Sequence, residues 1–403
     1  MSEKVVIVGA GHAAGILVQQ LARAGERFSI TVIGDEAWPP YERPPLSKKL
    51  LTGEIAPEKT FLRPVDYYAD KGVRLVTGRV TAIDRTAKTV ATADGASTAY
   101  DDLVLCTGTR NRTIPVPGAD LAGVHYIRTL DETAAIRAEA REGARVVIVG
   151  GGYIGLEAAA SLTQLGCTVT VIEMVDRVMA RAVAEPVSRF YEAEHRAKGV
   201  TLLLGTGVSA FTGAGGRVNG VTDNTGTTHP ADLVIVGIGV VPNTELAAAA
   251  GLAVDNGIVV DDTARTSDPA IFAAGDCTSH PNAILGRTIR LESVQNAVDQ
   301  ARCVADQLTG KGGSYAEVPW FWSDQFDLKM QMAGLPLPDD TIVVRGDPAT
   351  RSFSTFALRD NVVTGVVAVN ASADYVRGRK WIGEKREIDP ARLSDTAIPI
   401  KEV

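Results

Sequence analysis

Two glycine-rich runs mark places where backbone amides, rather than side chains, would do the binding. Residues 8–15 read Val-Gly-Ala-Gly-His-Ala-Ala-Gly and residues 149–155 read Val-Gly-Gly-Gly-Tyr-Ile-Gly. Each follows an apolar stretch with strand character, residues 4–8 and 145–149, and opens an apolar helical run. That order of strand, glycine loop and helix offers free amides and the positive end of a helix to a pyrophosphate. A chain with two such loops is expected to hold two dinucleotides, pairing a hydride donor with an electron store.

The carboxylates beyond each loop sharpen this reading. In the first, Gly9 and Gly11 allow the tight turn and the close approach of phosphate, and Ala14 is small enough for helix to pack on strand. A strand over 29–33 then delivers Asp35, 26 positions after Gly9, where a carboxylate can bind ribose hydroxyls. In the second, Gly150, Gly152 and Gly155 complete G-x-G-x-x-G, a helix runs over 156–165, and a strand over 168–172 ends at Glu173, 23 positions after Gly150. A carboxylate there accepts the adenosine 2′ and 3′ hydroxyls and repels a 2′-phosphate, so NADH is expected over NADPH. Arg177 and Arg181 follow as cations that could reach a 2′-phosphate or the pyrophosphate.

These loops must be held by a chain of 403 residues, 45% hydrophobic and 22% charged, which is long enough for two or three domains. A net charge of -7 with no basic stripe argues against general nucleic-acid binding. No apolar run approaches the ~18 residues of a membrane span. The first strand begins almost at residue 1, leaving no room for a leader peptide, and a cytoplasmic location is expected. Cys106, Cys167, Cys277 and Cys303 form no close pair and no metal-ligand spacing with the five histidines, so they are expected to be small buried hydrophobes. No metal site is expected. His12, His125, His195, His229 and His280 make no sequence cluster, and no acid–base triad is expected.

The chain is internally duplicated. Each loop is answered by a later strand running into a small-residue turn, Leu-Val-Leu-Cys-Thr-Gly-Thr at 103–109 and Leu-Val-Ile-Val-Gly-Ile-Gly at 233–239. Residues 266–276, Thr-Ser-Asp-Pro-Ala-Ile-Phe-Ala-Ala-Gly-Asp, bring Gly275 and Asp276 to a strand end. Together these segments resemble the two-dinucleotide flavoprotein reductases of the glutathione reductase plan, in which the first loop holds FAD and the second NAD(P)H. Within that superfamily, Pro-Tyr-Glu-Arg-Pro-Pro-Leu-Ser-Lys at 40–48 and Val-Pro-Trp-Phe-Trp-Ser-Asp-Gln at 318–325 resemble the NADH:ferredoxin reductases that serve bacterial cytochrome P-450 and aromatic-ring dioxygenase systems.

The resemblance implies an α/β fold with two Rossmann-like dinucleotide-binding domains and a smaller C-terminal α/β interface domain. Residues 1–112 and 240–315 would form the FAD domain, 113–239 the NADH domain and 316–403 the interface domain. It assigns Ala14, Asp35, Lys48, Val80, Arg128, Asp276 and Val294 to FAD, alongside Gly9 and Gly11. Gly150, Gly152, Ile154, Gly155, Glu157, Glu173, Arg181 and Gly239 go to NADH. It pairs Glu157 with Lys48 near the point of hydride transfer, making these the two candidate catalytic residues. It implies hydride transfer from NADH to FAD and single-electron transfers to a 2Fe–2S ferredoxin. No cysteine lies in 40–48, so no thiol relay is expected. Trp320 would face the ferredoxin side, and Arg43, Arg63, Arg287, Arg290 and Lys329 could form a basic docking face. A rubredoxin reductase and an NADH-responsive flavoprotein sensor are the competing readings, and the oligomeric state stays open.

Overall fold

The computed structural model describes residues 2–403. The chain divides into two compact units. The first gathers the residues up to Arg43 with Glu58–Arg110 and Val241–Pro319. Its centre is a five-stranded parallel sheet in the order Ile271–Ala273, Asp102–Leu105, Glu3–Val8, Phe28–Gly34, Arg74–Thr77. The central strand is apolar on both faces because both are covered. Val5 and Ile7 pack with Leu17, Val18 and Leu21 of the helix His12–Leu21 and with Ala301 and Val304 of the helix Val294–Leu308. Val6 and Val8 join Ile271, Leu252 and Ile258 on the other face. A small antiparallel sheet, Val80–Asp84, Thr89–Thr92 and Ser97–Ala99, begins with Val80.

The second unit comprises Pro44–Pro57, Asn111–Val240 and Trp320–Val403. Its parallel sheet runs Thr201–Leu203, Thr168–Ile172, Arg145–Val149, Leu233–Val236, Val124–His125. This arrangement repeats the first unit's sheet: the loop-bearing strand lies between the strand that follows it and the strand that returns to it. Each glycine loop thus leaves its sheet at the switch in strand order, where α/β sheets bind ligands. The unit also holds an antiparallel sheet of Trp320–Gln325, Leu328–Gly334, Val362–Val369, Ser352–Arg359 and Thr341–Asp347. The helix Ser372–Glu384 covers it, with Trp381 against Phe356 at 6.0 Å between ring centroids. A Cβ on Gly378 would come within 2.8 Å of Val366, so that helix sits closer than any side chain at 378 would allow.

Element limits differ from expectation where caps decide them. The helix expected over 156–165 is Tyr153–Gln164, because extended Gly152 is its N-cap and puts Ile154 and Gly155 in the first turn. The helix Val294–Leu308 begins after Ser293, whose hydroxyl accepts from the Asn296 amide at 3.1 Å. Contacts group Pro44–Pro57 with the sheet of the second glycine loop, and Trp320–Val403 with it too. Among the described residues, no helix is long and apolar enough to cross a membrane.

Candidate functional site

In the first loop, Gly9 has φ +102°, and a Cβ there would lie 2.2 Å from the Cys106 carbonyl oxygen. Only glycine fits, because the loop passes directly over the neighbouring strand. Gly11 has ordinary extended angles and nothing within 4 Å of a Cβ position, and it caps the helix His12–Leu21 without any side-chain hydrogen bond. The helix start is thus an open cradle of amides, which fits a dinucleotide pyrophosphate. Ala14 is buried in that helix, Asp35 is exposed at the end of the strand Phe28–Gly34, and Asp276 follows Ile271–Ala273 at the same end of the sheet. Gln300, fully buried, accepts from the Gly275 amide at 2.8 Å and the Thr278 hydroxyl at 2.9 Å. It thereby anchors the turn that carries Asp276 to the helix that starts with Val294.

The second loop repeats these devices. Gly150 has φ +109° with the Gly237 carbonyl oxygen 2.4 Å from a Cβ position, while Gly152 is open and caps its helix with no side chain. A Cβ on Gly155 would meet the Gly150 carbonyl oxygen at 2.1 Å, so the helix can approach the loop only with glycine there. Glu173 ends the strand Thr168–Ile172, and its carboxylate accepts from the Gly151 amide at 2.6 Å and the Val175 amide at 3.1 Å. It braces the loop. Arg177 donates to the Val183 and Ala180 carbonyls and the Ser188 hydroxyl, so its guanidinium is spent inside the fold. Arg181 is exposed and reaches Gly239, whose φ is +101°. Ile154 is 45% exposed at the mouth of the same loop.

Lys48 and Glu157 meet. The short turn Pro44–Ser47 fixes the chain ahead of Lys48, whose ammonium donates to Glu157 at 2.6 Å and to the Pro44 carbonyl at 3.3 Å. Glu157 lies one turn into the second-loop helix and is 2% exposed. A carboxylate this deep requires donors on every side. It has them: the Ser47 hydroxyl shares Oε2 at 2.6 Å and the Ser323 hydroxyl holds Oε1 at 2.6 Å. Arg128 precedes the capping box of Thr129 and Glu132, and its amide donates to Glu132 at 2.7 Å.

The other groups singled out in the sequence have varied surroundings. Arg43 binds Glu36 at 2.7 Å and the Tyr41 hydroxyl at 2.9 Å, and Arg290 binds Glu292 at 2.6 Å, so neither is an unattached surface cation. Arg63 lies over the Tyr67 ring and Lys329 is exposed. Trp320 stacks near Trp322 at 5.7 Å, with Arg379 5.6 Å from its ring. Burial pushes the His12 imidazole down to about 4, with Arg43 adding to the effect. All four cysteines are buried and free, and burial pushes the Cys106 and Cys277 thiols up, leaving neither as a ready nucleophile. Ser47, Ser323, Gln325 and His195 carry no role in the sequence reading; the alternation of Ser323 and Gln325 along one strand was the available signal.

Two glycine-loop sheets, each with an open amide cradle, and a lysine paired with a buried glutamate at the second define a two-dinucleotide oxidoreductase. The chain belongs to the pyridine nucleotide-disulphide oxidoreductase family, which matches residues 3–301, and the Reductase C-terminal family matches residues 320–403. Among its relatives are rhodocoxin reductase of Rhodococcus erythropolis, 46% identical over 98% of this chain and 93% of that protein, and a ferredoxin–NAD(P)(+) reductase of Sphingomonas sp, 45% identical over 98% and 96%. The solved structure of putidaredoxin reductase in covalent complex with putidaredoxin superposes with a TM-score of 0.96 at 41% identity, covering 99% of this chain and 97% of that one. FAD and NAD(P)H are the cofactors of the family.

Proposed function

We propose that this oxidoreductase takes a hydride from NADH and passes the electrons one at a time to a 2Fe–2S ferredoxin that serves a cytochrome P-450 or ring-hydroxylating oxygenase. The observation that carries this reading is the ion pair of half-buried Lys48 with buried Glu157 beside the second glycine loop, in a segment without cysteine. When bound, FAD supplies the conversion, because it accepts two electrons together and releases them singly. The protein's own tasks are binding and positioning. Gly9, Gly11 and the amides that follow hold the FAD pyrophosphate, Asp35 takes ribose hydroxyls, and Ala14, Val80, Arg128, Asp276 and Val294 line the remainder. Gly150, Gly152, Ile154, Gly155, Arg181 and Gly239 receive NADH, and Glu173 opposes a 2′-phosphate. Lys48, fixed by Glu157, orients the groups at hydride transfer.

The same reading places the protein in the cytoplasm, where NADH is available and unpaired thiols such as its four cysteines stay reduced. The test is steady-state turnover with NADH or NADPH as donor and a 2Fe–2S ferredoxin or a rubredoxin as acceptor. The reading expects a higher kcat/KM with NADH and with the 2Fe–2S carrier. Equal use of NADPH would remove the role given to Glu173, and preference for rubredoxin would remove the ferredoxin assignment.

A further inference from the structure

We propose that Ser323, oriented by Gln325 and His195, is a positioning residue that fixes the Glu157 carboxylate and through it the Lys48 ammonium. A continuous buried chain of hydrogen bonds runs from His195 to Glu157. The Ser323 hydroxyl donates to Glu157 Oε1 at 2.6 Å, the Gln325 amide nitrogen donates to Ser323 Oγ at 3.1 Å, and His195 Nε2 lies 2.9 Å from Gln325 Oε1. Ser323, Gln325 and His195 are each 0% exposed.

The direction of this chain follows from its ends. A carboxylate only accepts, so the Ser323 hydroxyl must point at Glu157 and has its lone pairs left for Gln325. That turns the Gln325 nitrogen toward Ser323 and its oxygen toward His195, which requires the Nε2–H tautomer of His195. Every donor therefore points toward Glu157. Burial holds the His195 imidazole below its usual pKa, with the Gln325 hydrogen bond opposing in part, which suits a neutral ring donating through Nε2. Gln325 has no ionisable group to hand a proton on, so the chain orients and polarises but does not conduct protons.

The elements explain why this arrangement is stiff. Ser323 and Gln325 lie on the strand Trp320–Gln325, His195 on the helix Glu185–Ala197 and Glu157 on the second-loop helix. Phe321, on the same face of the strand as Ser323, packs on Tyr153 at 5.0 Å, and Phe326 packs on His195 at 5.0 Å. Alternation sends Trp320 and Trp322 to the other face. One strand of the C-terminal sheet thus holds the lysine–glutamate pair with its odd residues and presents a tryptophan pair with its even ones.

The kinetic consequence rests on the proposed role of Lys48, whereas the positioning itself can be read without it. The experiment uses the FAD-loaded enzyme as wild type, Ser323→Ala, Ser323→Thr, Gln325→Met and Lys48→Met. Lysine ammonium NMR reports whether the Lys48 Nζ protons are held in slow exchange, and stopped-flow mixing with NADH gives the hydride-transfer rate at saturation and the NADH Kd. Ser323→Ala is expected to broaden the Lys48 signal and slow hydride transfer roughly tenfold, the scale of one hydrogen bond to a charged group, with NADH Kd and FAD content unchanged and Tm lowered by the loss of a buried hydrogen bond. Gln325→Met should act in the same direction by less, and Ser323→Thr, which keeps the hydroxyl, should restore the signal. An unchanged Lys48 signal in Ser323→Ala overturns the inference, as does a loss of rate that comes only with lost FAD in Ser323→Ala and Gln325→Met alike. A wild-type rate in Lys48→Met would instead overturn the catalytic reading of Lys48, leaving the NMR signal to decide the positioning.

Discussion

Glu157 shows how much a single residue's environment decides. Three donors, Ser47, Lys48 and Ser323, converge on a carboxylate that is 2% exposed, and removing a partner from such a buried pair typically costs about 3–5 kcal/mol. Lys48→Met should lower the hydride-transfer rate about a hundredfold, comparable with removing one preorganised electrostatic donor, while leaving NADH binding nearly intact; stopped-flow rates at saturating NADH check this. His280 makes a separate prediction. Its ring is 1% exposed, 5.1 Å from Tyr315, and burial pushes its pKa down to about 4. A depressed folded-state pKa gives stability that is full above about pH 6.5 and lost as pH falls through about 4. His280→Phe keeps the ring contact and should flatten the fall in Tm over that window; a parallel fall in wild type and variant would reject the assignment. Gly9, Gly150 and Glu173 were legible because their demands are local, a positive φ or a fixed spacing from a loop. Ser323, Gln325 and His195 were not, because 130 positions separate His195 from its partner and only tertiary packing joins them.

At the scale of elements, both glycine loops make the same division of labour. Gly9 and Gly150 serve the fold, since a side chain at either would strike a neighbouring carbonyl, whereas Gly11 and Gly152 leave space that a ligand can use. Gly11→Ala should therefore fold with an apoprotein Tm close to wild type but retain less FAD, and Gly9→Ala should impair folding itself. FAD content by absorbance and apoprotein melting distinguish the two. Strand patterns predicted the cores of these elements well, because Val-Val-Ile-Val runs suit strands buried on both faces. The start of the second-loop helix was misjudged by three residues, because Gly152 acts as its cap through backbone angles, which apolar periodicity does not encode.

For the whole molecule, the duplication visible in 103–109 and 233–239 is a repeat of sheet order, with the loop-bearing strand flanked alike in both units. The segment Pro44–Pro57 illustrates what sequence order hides: it sits in the first third of the chain yet packs in the unit of the second loop, and so brings Lys48 to Glu157. The C-terminal sheet joins that unit and supplies Ser323, tying the region matched by the Reductase C-terminal family to the candidate catalytic pair. The central claim is directional electron flow from NADH to a 2Fe–2S ferredoxin without a thiol relay. Anaerobic double-mixing stopped flow, with NADH first and a 2Fe–2S ferredoxin second, tests it most directly. The account predicts rapid, NADH-selective bleaching of the flavin band, followed by its recovery as two ferredoxins are reduced per NADH, in wild type and in a variant with all four cysteines changed to alanine or serine. Slow bleaching with a persistent NAD complex, or a bleached flavin that no ferredoxin reoxidises, would contradict it.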